Sequence, residues 1–183
     1  MTIIIDQLIE ACVDYSLLDY QRVRFVSKAE LIESHPKHHG RQLRAPGKNK
    51  PKESGYYYEN AKRLALMAEQ LQQEQGDRVI PLLFRDADGT QSSGRGEWQA
   101  KWGSMLKGFA AGGSTLGVPM LPQPKSEAWL LCACREPKYQ HCAQLENESG
   151  NDDAPHSLKT QLGVALAGAT TSSQLAEAVM SGP

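Results

Sequence analysis

The chain has 183 residues, a formal net charge of −1, 40% apolar and 22% charged residues, the balance of a globular protein with one full hydrophobic core. It has no apolar run of membrane-span length and no basic-then-apolar start like that of a signal peptide, so the expected setting is the cytoplasm, with no membrane partner. A net charge so close to zero excludes a protein that coats nucleic acid through its overall field, and four cysteines without the spacing of a disulfide framework are expected to be reduced and mostly buried.

In chain order, Thr2 to Ile5 reads as a short β-branched strand followed at once by Asp6, after which Leu8, Ile9, Cys12, Val13 and Leu17 recur at helical spacing. Asp6 is thus either a ligand at a strand end or the N-cap of the first helix. Glu10 lies one turn further on. Arg22 to Val26 is a second, weaker strand. Between His35 and Lys52 the chain carries Lys37, Arg41, Arg44, Lys48, Lys50 and Lys52, three histidines and no acid. Its prolines and glycines exclude regular structure. This segment is a candidate contact for nucleic-acid phosphates, or a solvated loop. Gly55 to about Gln75 then reads as a helix with Ala61, Leu64, Ala65, Ala68 and Leu71 on one face and Gly76 as its stop.

The apolar run Val79 to Phe84 predicts a buried strand that ends in Asp86-Ala-Asp88 and a Gly- and Ser-rich turn. In an open α/β sheet the ligand crevice lies beyond the carboxyl ends of the strands, so acids placed there point into it. Residues 97 to 109 follow as a helix with Trp98, Trp102, Met105, Leu106 and Phe109, its Trp residues expected on the sheet. Leu116 to Leu121 is a short strand broken by Pro119. A helix opens near Ser126, its plausible cap, with Glu127 in the first turn. Two modest helices, about 156–166 and 172–180, close the chain. The expected fold is α/β: one domain with an open sheet of about four mostly parallel strands, helices on both faces, a basic loop at about 35–54 and a helical extension at about 136–183.

Asp6, Asp86, Asp88 and Glu127 all stand at or just beyond expected strand ends. Carboxylates held close repel one another unless a cation neutralises them, which predicts Mg²⁺ or Mn²⁺ on Asp86, Asp88 and Asp6. Such a metal activates water and stabilises the leaving oxygen of a phosphodiester. Lys125, beside Glu127, is placed to hold the scissile phosphate.

An acid after the first strand and a later strand ending in Asp86-Ala-Asp88 resemble the Toprim domain of topoisomerases, primases and the overcoming-lysogenisation-defect nucleases. Leu-Phe-Arg-Asp-Ala-Asp88, followed some forty residues later by Lys125-Ser-Glu127-Ala-Trp129-Leu-Leu, resembles small stand-alone Toprim-like proteins found beside ATPases in bacterial defence loci. The resemblance spans about residues 1 to 135. It implies a metal-dependent nuclease, acting on DNA in phage defence or nucleic-acid metabolism, with an ATPase partner or a second copy of the chain supplying part of the nucleic-acid surface. One departure matters, because Toprim domains carry a glutamate at the end of the first strand, where this chain has Ile5 and Asp6. Either Asp6 substitutes, or Glu10 reaches in, or catalysis is impaired.

Asp86-Ala-Asp-Gly-Thr90 also resembles the first motif of haloacid dehalogenase phosphatases, which would make Asp86 a nucleophile, Asp88 an acid/base and Gly150-Asn-Asp-Asp153 a second acidic motif. A third reading is a non-catalytic interaction subunit of a defence complex. Zinc on Cys132, Cys134, His141 and Cys142 falls outside the usual finger spacings.

Overall fold

The structure is a computed structural model that describes residues 1–34, 55–86, 95–166, 168 and 171–181. Asp88 and the basic segment with Lys37, Arg41, Arg44, Lys48, Lys50 and Lys52 lie outside the described residues. The chain folds as two compact units, one of Met1–Phe25, Asp86–Ser92 and Pro122–Pro183, the other of Val26–Arg85 and Ser93–Leu121.

The second unit holds α2 (Lys28–Ser34), α3 (Gly55–Gln75), β1 (Leu82–Phe84), α4 (Arg95–Ala111) and β2 (Val118–Met120). Helix α3 forms where its spacing predicts, and Ala61, Ala65 and Ala68 of its apolar face are buried. Small side chains there let a second helix approach closely. On α4 a Cβ at Gly108 would sit 2.8 Å from Ala61 Cβ, and one turn later, just past the helix end, a Cβ at Gly112 would sit 2.5 Å from both Ala65 Cβ and the Lys62 carbonyl. Met105 and Phe109 fill the core beside them. Trp98 fixes the same helix by donating from Nε1 to the Leu121 carbonyl at 2.9 Å. Trp102, expected like Trp98 to pack on the sheet, stacks on Trp98 and is 38% exposed.

Strands β1 and β2 pair in parallel, Leu82 opposite Val118, Leu83 opposite Pro119 and Phe84 opposite Met120, with α4 as the crossover. Parallel strands need such a crossover, so the alternation of strand and helix is correctly α/β. Among the described residues the sheet has these two strands, not about four. Two expected strands are absent for identifiable reasons. Thr2–Ile5 belongs to helix α1 (Thr2–Val13), because the helical spacing of the residues that follow continues back through it and buries Ile4 against other helices; β-branching is a weak preference that packing overrides. Arg22 to Val26 has no regular structure, and its Val23 and Phe25 are 40% and 82% exposed. A strand there would have no apolar face to bury.

The first unit is organised around α5 (Ser126–Cys134), with α1, α6 (Cys142–Leu145), α7 (Leu158–Ala165) and α8 (Ser172–Ser181) about it. One side of α5 packs Ala128, Leu131 and Cys132 against Leu145, Leu158 and Leu162. The other packs Ala133 and Cys134 against Ile4 and Val179. A helix apolar on all sides is a core helix, which is why Ala-Trp-Leu-Leu-Cys-Ala-Cys shows no amphipathic stripe. Ser157 caps α7 by accepting from Thr160 N at 3.2 Å.

The cysteines depart from expectation. Cys132 and Cys142 form a disulfide across ten residues, their Cα atoms 5.5 Å apart, tying the buried face of α5 to the start of α6. Distance in space, not the sequence spacing, decides that pairing. Cys12 is free and exposed, whereas Cys134 is free and buried, and burial pushes its thiol above the ordinary range.

Candidate active site

The two motifs behind the family resemblance meet side chain to side chain. Asp86 follows two residues after β1, and Ser126 opens α5 six residues after β2. Asp86 and Ser126 belong to the same compact unit. Ser126 Oγ donates to Asp86 Oδ2 at 2.9 Å and also lies 3.3 Å from Glu127 Oε2. A hydroxyl carries one proton, so of these two carboxylates it serves the nearer, that of Asp86, best. Asp86, Ser126 and Glu127 are all half-buried.

Positive charge comes from Lys125, the N-cap residue of α5, whose backbone is extended and makes no side-chain cap bond. Its Nζ donates to Asp152 Oδ1 at 2.8 Å. That hydrogen bond holds Lys125 above its ordinary range against the opposing pull of burial, and the charges of Asp152, Glu127 and Asp86 add to the effect. The same bond holds the exposed Asp152 below the usual carboxylate range. Gly150 makes this approach feasible, since a Cβ there would lie 3.2 Å from Pro124 Cβ and 3.8 Å from Lys125 Cε.

Asp6 is not at a strand end. It lies in α1, is only 8% exposed, and its carboxylate accepts from Ser16 Oγ at 2.8 Å, Leu17 N at 2.6 Å and Leu18 N at 3.2 Å. It organises the turn after α1 rather than capping the start of the helix. Glu10 is exposed on α1.

Carboxylate and hydroxyl oxygens held together suit a hard divalent cation, and Mg²⁺ needs only one or two protein carboxylates. Asp86 and Glu127 meet that description with Ser126 between them. Among the described residues no three His, Cys, Asp or Glu side chains gather as a metal group. Ser126 and Asp152 are the members of the cluster that the sequence reading undervalues. Ser126 reads as a plain cap, and Asp152 draws notice only through the Gly150-Asn-Asp-Asp153 pattern.

No family model, curated protein or solved structure matches the chain. No helix among the described residues is long and apolar enough to cross a membrane.

Proposed function

We propose that this chain is a Toprim-like, metal-dependent phosphodiesterase, a nuclease that works in phage defence or nucleic-acid metabolism with an ATPase partner. The observation that carries the reading is the 2.9 Å bond from Ser126 to Asp86. It joins the strand-end acid of Asp-x-Asp to the helix start of Lys-Ser-Glu-Ala-Trp-Leu-Leu, the two motifs on which the resemblance rests. Asp86 and Glu127, with Asp88 next to Asp86 but for one residue, would hold Mg²⁺ or Mn²⁺. When bound, that ion supplies an activated water and stabilises charge on a leaving oxygen. The chain's own part is to hold the two carboxylates side by side through Ser126 and to keep Lys125 protonated where it can meet a phosphate. Asp6 is committed to its own turn and takes no part, so the family's first-strand glutamate has no counterpart in α1.

The Lys125–Asp152 pair favours a second reading. It brings the Gly150–Asp153 acids to the same group as Asp86, the arrangement the haloacid dehalogenase resemblance would call for. Cytoplasmic action fits either reading, although the Cys132–Cys142 bond would then form where thiols are ordinarily kept reduced.

The deciding experiment incubates the purified chain with plasmid, single-stranded DNA, RNA and a small phosphomonoester, each with Mg²⁺, Mn²⁺ or EDTA. Strand cleavage that EDTA abolishes is the expected result. Phosphate released from the monoester alone transfers the case to the phosphatase reading, and inactivity on every substrate overturns both in favour of a non-catalytic subunit.

A further inference from the structure

In the unit built on α3 and α4, the ring of Tyr56 carries two cations. Lys28 Nζ lies 5.1 Å from its centroid and Arg85 Cζ 4.7 Å. Tyr57 stands edge-on to Tyr56, centroids 5.8 Å apart at 90°, and has Lys101 Nζ 5.7 Å from its own centre. Four separate segments, α2, α3, the end of β1 and α4, thus bring three positive charges to two adjacent rings.

A ring face attracts a cation only weakly at an exposed site, which orients Lys28 and Arg85 without neutralising them. Among the described residues neither forms an ion pair with a carboxylate. Arg85 Nε is moreover buried with no hydrogen-bond partner, an orphaned donor on a side chain suited to phosphate oxygens. Tyr56 is 43% exposed and Lys28 is exposed, so these two face solvent, while Tyr57, only 6% exposed, backs the Tyr56 ring. Arg85 is also the residue immediately before Asp86 in the chain.

Fixed cations beside aromatic rings are the elements with which proteins track a flexible polynucleotide, the cations meeting phosphates and the rings meeting bases. We propose that Lys28, Arg85 and Tyr56, flanked by Tyr57 and Lys101, form a contact surface for the phosphodiester backbone of single-stranded nucleic acid. This goes beyond the phosphodiesterase reading, because such binding needs neither metal nor cleavage.

The test measures fluorescence anisotropy of a labelled oligothymidylate of roughly 20 nucleotides, long enough to span a single-strand site, in EDTA and across a salt titration. Lys28→Gln and Arg85→Gln should each weaken binding several-fold and make the slope of log affinity against log salt shallower by about 0.7, the release expected per single-strand phosphate. Tyr56→Phe should bind as the wild type does, and Tyr56→Ala should weaken binding by releasing both cations. Lys159→Gln, the same charge change on an exposed lysine of α7, should have no effect. The proposal is overturned by unchanged affinity and slope in the first two variants, or by an equal loss in Lys159→Gln. Tighter binding of a duplex, or displacement by thymidine monophosphate mole for mole, overturns it as well. Should Tyr56→Ala melt early, the exposed Lys28→Gln decides alone. Since EDTA excludes metal-dependent cleavage, failure here leaves the catalytic reading untouched.

Discussion

Asp6 and Asp86 are the same side chain in the same compact unit, yet one is buried under three donors and the other is half-buried and shares a serine proton with a second acid. A carboxylate whose acceptor sites are filled by a hydroxyl and two backbone amides is already neutralised by its surroundings, so a metal would have to displace those donors. Asp86 has a second acid, Glu127, within reach of the same hydroxyl, and paired carboxylates of this kind suit a cation. Type and neighbouring sequence make the two aspartates look alike, and their hydrogen-bond partners give them different work.

That contrast is open to direct attack. The largest effect should come from Asp86→Asn, which keeps shape and removes charge. It should lower metal-dependent cleavage by on the order of 100-fold or more, the range of a positioned catalytic group, while the denaturant midpoint stays near that of the wild type. An Asp86→Asn protein that cleaves normally would falsify the assignment. Next in size is Asp6→Ala, which orphans Ser16 Oγ and the amides of Leu17 and Leu18. Hydrogen bonds to a charged acceptor and the cost of unsatisfied buried donors together suggest a loss on the order of 3 kcal/mol in urea unfolding. Cleavage per folded molecule should be unchanged, and lost activity in a fully folded Asp6 variant would erase the distinction between the two acids.

The smallest effect concerns Lys125 and Asp152. Asp152 is depressed from 3.8, so its contribution to stability is present above that value and is lost as pH falls through the folded one. Lys125 is raised from 10.5, so its contribution is present below that value and is lost as pH rises through the folded one. The stability gap between wild type and Asp152→Asn should therefore be small and flat between 3.8 and 10.5 and should close outside that window. Asp152 is exposed, and surface pairs of this kind add little. Calorimetry across pH measures the gap. A gap that widens in acid contradicts the assigned pairing.

Much of the unit around α3 could be read from the chain. Ala61, Ala65 and Ala68 at helical spacing and Gly76 as a stop are local patterns, and local periodicity is what a sequence displays, whereas of the buried strand expected over Val79 to Phe84 only Leu82–Phe84 forms, with Leu83 buried and Ile80 and Leu82 exposed. The reading misled where β-branched residues lay at the start of a longer helical pattern, as in Thr2–Ile5, and where alternation at Arg22–Val26 had no apolar face to serve. It also missed the disulfide, because nothing in the spacing of Cys132 and Cys142 shows that their Cα atoms lie 5.5 Å apart.

By itself, then, the sequence determined which residues could be acids at a strand end, which face of α3 is apolar, and that a helix opens near Ser126 with Glu127 in its first turn. Those properties depend on neighbours within a turn or two. Only the tertiary structure decided that Ser126 would meet Asp86 from forty residues away, that Lys125 would spend its charge on Asp152, that Asp6 would close a turn, and that Lys28 and Arg85 would share one tyrosine ring. Each of these depends on a contact between residues more than a turn or two apart in the chain, and such contacts arise only once each unit has packed its own elements.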